Sequence, residues 1–328
     1  MKTTSNRNLY FDNAKLFLIF LVVFGHVISP FKEGDNILFT LYSVIFLFHM
    51  PAFILICGHF SKGFQQKSYF LKTIKKILLP YFIFQGIYSF FYYWSGHEKT
   101  LTFDLFMPHW TLWFLLSLFC WNILLYVFAR WRWYGLILSI ALGIGVGYID
   151  EVGSYLSLSR TFVFFPYFLL GYLLNSSHIT WLKRVKFSIA LSLVMILGTV
   201  LIFSVSFPKE AIPWLLGDTS YADMGVKEIA DGLIRCGQYV LTTIVLFCFF
   251  SLVPKKEYKL TVLGQRTLYI YLLHGFIIKL NEIFVPERTL QQLAENYTVL
   301  IIYSLFLCLL LGNYMTKKLT LPLIELKI

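Results

Sequence analysis

The chain has 328 residues, of which 58% are hydrophobic and 14% charged, with a formal net charge of +11. Its mean hydropathy is +0.70. Such a composition excludes an ordinary soluble domain. Apolar runs of roughly 17–25 residues suit membrane helices and are too long for barrel strands. Nucleic-acid binding is excluded too, because the basic residues fall in short clusters between apolar runs.

Taken in order, ten spans are expected at about 11–30, 37–58, 77–95, 111–129, 134–149, 161–177, 187–206, 232–253, 262–284 and 297–315. The fifth is short. Lys2 and Arg7 precede the first run, but no small-x-small cleavage site follows, so it is expected to be retained. Basic clusters follow the even-numbered spans: Lys62, Lys67, Lys72, Lys75 and Lys76; Arg130 and Arg132; Lys183, Arg184 and Lys186; Lys255, Lys256 and Lys259; Lys317 and Lys318. Both termini are therefore expected in the cytoplasm. The opposite loops are mixed or acidic, and 207–231 is the longest of them. The expected fold is an all-α polytopic membrane bundle of about ten transmembrane helices, filling residues 1–328 as a single domain. The five cysteines, in or beside apolar runs, are expected to be buried small apolar residues.

The first span carries the clearest chemistry. Asp12, Asn13 and Ala14 lead to Lys15, then LFLIFLVVFG, then His26. Eleven residues make about three helical turns, so Lys15 and His26 share a face about 16 Å apart along the axis. Ionisable groups in a membrane helix are costly and mark function. His26 can take a proton from a hydroxyl and return it near neutral pH. Lys15 suits the phosphates of an anionic cofactor, with Asp12 one turn before it to orient it. A charged head at one end and a reactive group at the other suits a coenzyme A thioester. The basic 59–76 segment, with Lys72, Lys75 and Lys76, is placed to lie on the membrane surface or to meet the same anion.

His49 and Pro51 occupy the second span, where proline opens the helical ladder. Trp110 and Trp113 stand among tryptophans near the ends of the fourth span, of a kind that interfacial belts explain. Arg160 opens the sixth, to hold a polar acceptor or to pair with Asp150 or Glu151. His274 lies in mid-span with no partner legible in the sequence, while Lys279 and Glu282 are spaced to pair. No metal-ligand spacing or GxSxG elbow occurs, and no metal is expected.

These pieces together resemble the membrane acyltransferase-3 family. Asp12 through His26 is similar to its first-helix signature, a basic residue, ten residues and a histidine. FLFHMPAFILICGHFSKG is similar to its second-helix motif, with Cys57 where serine is common. HWTLWFLLSLFCWN resembles its tryptophan-rich fourth span. SRTFVFFPYFLLGY resembles the subgroup of fucose 4-O-acetylases, and LGQRTLYIYLLHGF its late histidine motif. The resemblance implies acyl transfer, commonly acetyl, from cytoplasmic acetyl-CoA (acyl-CoA) to a hydroxyl of an extracytoplasmic cell-surface glycan or lipid-linked sugar. It implies a multi-pass protein of a bacterial cell membrane, in contact with lipids. His26 corresponds to the catalytic histidine and Lys15 to the basic residue before it. Arg160 and Asp12 join His26 as expected catalytic groups, with Lys15, Lys72, Lys75 and Lys76 for the donor and His49, His274 and Trp110 for the acceptor. Direct attack and an acyl-histidine relay both remain open, as does the oxyanion donor, for which Arg160 or a backbone amide stands. The competing expectation is a transporter or flippase of a sugar or lipid-linked substrate.

Overall fold

The computed structural model describes residues 8–153, 155–175, 178, 188–226, 228 and 230–325. Lys2 and Arg7, used above in reading the first run as retained, and Lys183, Arg184 and Lys186, used in the charge argument, lie outside them. Among the described residues every regular element is helical and no strand occurs. The order is α1 (Leu9–Ile28), α2 (Asn36–Phe60), α3 (Tyr69–Thr73), α4 (Leu79–Trp94), α5 (Trp113–Phe128), α6 (Arg132–Gly145), α7 (Leu158–Leu173), α8 (Ser188–Ser206), α9 (Ile212–Leu216), α10 (Asp231–Leu252), α11 (Thr267–Phe284), α12 (Glu287–Ala294), α13 (Tyr297–Leu311) and α14 (Tyr314–Ile324).

Each of the ten apolar runs holds a helix among the described residues. By length and apolarity six helical stretches can cross a membrane, or up to eight if each of two bent pairs is one span. Two features account for the difference. α4 and α6 have only 16 and 14 residues, short of the ~20 that a bilayer needs. Trp110–Tyr148 forms one helical stretch of 39 residues, broken where Arg132 takes φ 49°, a conformation that interrupts the helix between α5 and α6.

The described residues group into two compact units. One comprises those of 1–45, 180–204 and 245–320, the other those of 46–179, 205–244 and 321–325. In the first, α1 packs against a 3-10 helix, Lys259–Gln265, and against α11 and α13. Leu18, Ile19, Val23 and Ile28 of α1 are fully buried, while Phe17 is exposed, so α1 packs by one apolar face. Asn8 caps its start, accepting from the Tyr10 N–H at 3.2 Å.

In the second unit the end of α2 and the middle of α7 cross at glycines. A Cβ on Gly58 would lie 1.9 Å from the Phe168 carbonyl oxygen, and one on Gly171 would lie 2.0 Å from that of Leu55. Small residues of this kind bring two membrane helices into backbone contact. In the glycine run that ends α6 and enters the 3-10 turn Val146–Tyr148, Gly143 and Gly147 give room to Tyr239 and Tyr221, while Gly145 faces open space. Among the cysteines Cys308 is buried, but Cys236 is exposed. Its helix, α10, spends its inward face on polar side chains, described below.

Candidate active site

α1 carries Lys15 and His26 on one unbroken helix, so the spacing expected from the sequence holds. His26 is half-buried. The ring of His274, from the middle of α11, stands beside it, with centroids 5.3 Å apart and planes tilted by 40°. His274 is wholly buried. Its Nδ1 lies 2.6 Å from the Tyr271 carbonyl and 3.1 Å from that of Ile270. A carbonyl only accepts, so Nδ1 carries the proton and Nε2 is left as the acceptor nitrogen. The residue without a legible partner in the sequence is thus the neighbour of His26.

In the same unit a cavity of about 190 Å³ is lined by Val27, the residue after His26, by Ile278, one turn beyond His274, and among others by Leu290, Leu300, Asn281 and Tyr303. Its walls are apolar apart from a few polar groups. Asn281 donates to the Tyr303 hydroxyl. Lys279 and Glu282 form the expected ion pair, at 2.6 Å.

At the other end of α1, Lys15 Nζ meets Asp12 Oδ1 at 2.8 Å. Asp12 Oδ2 accepts from Gln265 Nε2 at 3.3 Å. The neighbouring Asn13 is almost completely buried. Its Nδ2 donates to the carbonyls of Pro254 and Lys256, at 2.9 and 2.8 Å, and its Oδ1 accepts from the Thr261 hydroxyl at 2.7 Å. Asp12 sits some 21 Å along the helix axis from His26, so it orients Lys15 and does not touch the histidine pair.

The other expected site residues belong to the second unit. Lys72, Lys75 and Lys76 are exposed. Lys75 and Lys76 lie on a π-turn, Ile74–Leu78, an irregularity often found at functional positions. His49 is buried, its ring against Phe46. Pro51, two residues on, cannot donate to the carbonyl of Leu47, and the Thr242 hydroxyl occupies that carbonyl at 3.3 Å. Trp110 stands at the start of a 3-10 turn with φ 38°, a conformation costly for a bulky residue.

Arg160 is neutralised within the unit. Its Nη2 donates to Asp218 and its Nε to the Leu216 carbonyl, and its guanidinium covers the Trp113 ring at 5.0 Å. The partner is Asp218, not Asp150 or Glu151, because the 216–218 segment folds back on the start of α7, where Ser159 also bonds the Gly217 carbonyl.

Two groups were missed in the sequence. Arg235 is the only lysine or arginine inside the eighth expected span, and that solitary cation was the available signal. His109 was passed over beside Trp110. Its Nε2 is 2.9 Å from Ser89 Oγ, and its Nδ1 faces Glu98 at 3.9 Å. Burial lowers the pKa of His109, against the opposing pull of Glu98 and Asp104. Among the described residues no group of three histidine, cysteine, aspartate or glutamate side chains is arranged to hold a metal ion.

Helices of this length, with a histidine pair in one bundle, define a polytopic membrane protein with acid–base groups inside it. The family model described as an acyltransferase domain matches residues 8–313, and the chain belongs to that family, the membrane acyltransferase-3 family. It is similar to Nodulation protein NolL of Sinorhizobium fredii (strain NBRC 101917 / NGR234), 24% identical over 312 residues that cover 85% of this chain and 80% of the relative. It is also similar to Nodulation protein NolL of Mesorhizobium japonicum (strain LMG 29417 / CECT 9101 / MAFF 303099), 23% identical over 320 residues, covering 85% and 79%. No solved structure is significantly similar to it.

Proposed function

We propose that the protein is a membrane O-acyltransferase that moves an acetyl group from cytoplasmic acetyl-CoA to a hydroxyl of an extracytoplasmic cell-surface glycan or glycolipid. The observation that carries this reading is the His26–His274 ring pair, three turns from the Lys15–Asp12 ion pair on the same helix. In this reading about ten helices lie in a bacterial cell membrane, with both termini in the cytoplasm.

Lys15 meets the anionic head of the donor from the cytoplasm, held in place by Asp12 and, through it, by Gln265. Exposed Lys72, Lys75 and Lys76 give the surface of the second unit a positive potential of its own, suited to an anion. The thioester arm spans the ~16 Å from Lys15 to His26. His26 takes the proton of the acceptor hydroxyl as its oxygen attacks the thioester carbonyl. The carbon–sulfur bond breaks, and the proton passes from His26 to the leaving thiolate. His274, its Nδ1–H held by backbone carbonyls, fixes the orientation of His26 from the side. The adjoining cavity, with Asn281 and Tyr303, receives the acceptor. Arg160, bonded to Asp218, holds the start of α7 in the second unit and is not assigned as the oxyanion donor.

The test uses purified protein in liposomes with labelled acetyl-CoA and a glycan extract. Lys15→Ala is expected to raise KM for acetyl-CoA at least tenfold with kcat little changed, because it removes binding made equally in the ground and transition states. Equal KM in wild type and Lys15→Ala overturns the donor assignment.

A further inference from the structure

Helix α10 carries Arg235, Gln238, Tyr239 and Thr242 at i, i+3, i+4 and i+7, which is one helix face. Of these, Tyr239 and Thr242 are spent on backbone, the first donating to the Val163 carbonyl at 2.7 Å and the second to the Leu47 carbonyl beside Pro51. Gln238 Nε2 donates to the Trp214 carbonyl at 2.8 Å. Arg235 is 1% exposed. One of its terminal nitrogens, Nη1, reaches both the Trp214 carbonyl and Gln238 Oε1, each at 2.6 Å, and its guanidinium lies 5.0 Å over the Trp214 ring.

The carboxylate nearest to Arg235 along α10 is the buried Asp231, one turn before, whose Oδ2 accepts from the Glu228 N–H at 2.8 Å. Arg235 makes no ion pair among the described residues, whereas Arg160, the other arginine of this unit in contact with the 212–218 segment, has Asp218. Its Nε is buried and has no hydrogen-bond partner among the described residues. A guanidinium keeps its charge in a protein interior, and a buried cation with no carboxylate in direct contact is costly. Beside it lies a small void of about 10 Å³, lined among others by Arg235, Gln238, Tyr239, Thr242, Tyr167 and Pro51. That is room for a single water or one oxygen atom.

We propose that Arg235 and Gln238 form an anion-binding site that takes one oxygen of a carboxylate or phosphate group, with the Arg235 Nε–H as the open donor. A planar guanidinium with one edge already fixed to Trp214 and Gln238 presents its remaining donors in a set direction, as recognition of a carboxylate or phosphate requires. The site adjoins the 207–230 connection, the longest between the apolar runs. Under the acyl-transfer reading the anion belongs to the acceptor, which is then an acidic sugar or a phosphate-bearing glycolipid. Only that last step rests on the reading. Anion binding and acyl transfer are measured separately, so either can fail alone.

The experiment follows thermal unfolding of the full-length protein in detergent micelles at constant ionic strength, titrating acetate or inorganic phosphate against chloride. Wild type is expected to gain Tm with at least one of the two anions. Acetate alone points to an acidic sugar, and phosphate alone to a phosphate-bearing lipid. Arg235→Lys keeps the charge but loses the Nε donor, and is expected to need at least tenfold more anion for the same shift. Arg235→Gln is expected to lose the response. Should Arg235→Gln fail to fold, Arg235→Lys and the wild-type titration decide. A wild-type Tm that follows only ionic strength overturns the proposal, as does an equal response in wild type and Arg235→Lys. An Arg235→Gln protein of raised stability with no anion response anywhere would make the guanidinium a strut for the Trp214 carbonyl.

Discussion

Gly264→Ala tests whether the Lys15 end of α1 is held as closely as the structure shows. A Cβ at 264 would lie 1.8 Å from the Asp12 carbonyl oxygen, 2.7 Å from its carbon and 3.2 Å from its Cα. Ordinary carbon contacts begin near 3.5 Å, so α1 and the Lys259–Gln265 helix must separate by about 1.5 Å. They cannot do so freely, because Asn13 ties α1 to Pro254, Lys256 and Thr261 by three hydrogen bonds. Overpacking against backbone on both sides falls at the upper end of its usual cost, about 3 kcal/mol. That is a large share of a typical total stability of ~5–15 kcal/mol. The same displacement moves Asp12, and with it Lys15. Unfolding in mixed micelles should show Gly264→Ala less stable by about this amount, with weaker acetyl-CoA binding. Gly237→Ala is the control, because nothing lies within 4 Å of its added Cβ. It is expected to be neutral, or to stabilise α10 by roughly 0.5–1 kcal/mol. A Gly264→Ala protein within 0.5 kcal/mol of wild type, by the usual scatter of surface substitutions, would refute the packing argument.

Asn13→Asp is nearly isosteric but replaces a two-bond donor with a carboxylate facing the Pro254 and Lys256 carbonyls, and is expected to cost about 3 kcal/mol. The same unfolding assay reads it, and a loss below that of Asn13→Ala would contradict the hydrogen-bond assignment. Asp218→Ala leaves Arg160 without its carboxylate and should cost about 2 kcal/mol. Adding Arg160→Gln should restore part of that loss, and a double variant no better than the single would refute the pairing. His109 gives a pH signature. Its folded pKa lies below the unfolded value near 6.5, so its contribution is fully present above that value and is lost as the pH falls toward the folded one. Thermal unfolding from pH 8 to 5 should therefore show a shallower loss of Tm for His109→Gln than for wild type, and parallel curves would count against it.

The lengths of the apolar runs made the helices legible, and the eleven-residue spacing made the Lys15–His26 face legible, because both are local properties of one helix. The His26–His274 pair is not local. It joins residues 248 positions apart in sequence, and nothing short of the packing of α1 against α11 brings them together. The same holds for Arg160, whose carboxylate was sought in the nearby Asp150 and Glu151 and comes instead from Asp218. The number of crossings is less legible for a different reason. Hydropathy registers an apolar run whether it makes a full crossing or a shorter helix such as α4 or α6. Arg235 had a signal, a lone cation in an apolar run, but its neighbours at i+3, i+4 and i+7 show their meaning only once the face they share is seen to be buried.

The most direct test of the account is transfer of label from radiolabelled acetyl-CoA to a sugar-polymer extract by purified protein in liposomes, wild type against His26→Ala, with acetyl-CoA binding measured on the same samples. The account predicts binding retained in both and label in the polymer only with His26 intact. Transfer by His26→Ala at the wild-type rate would contradict it.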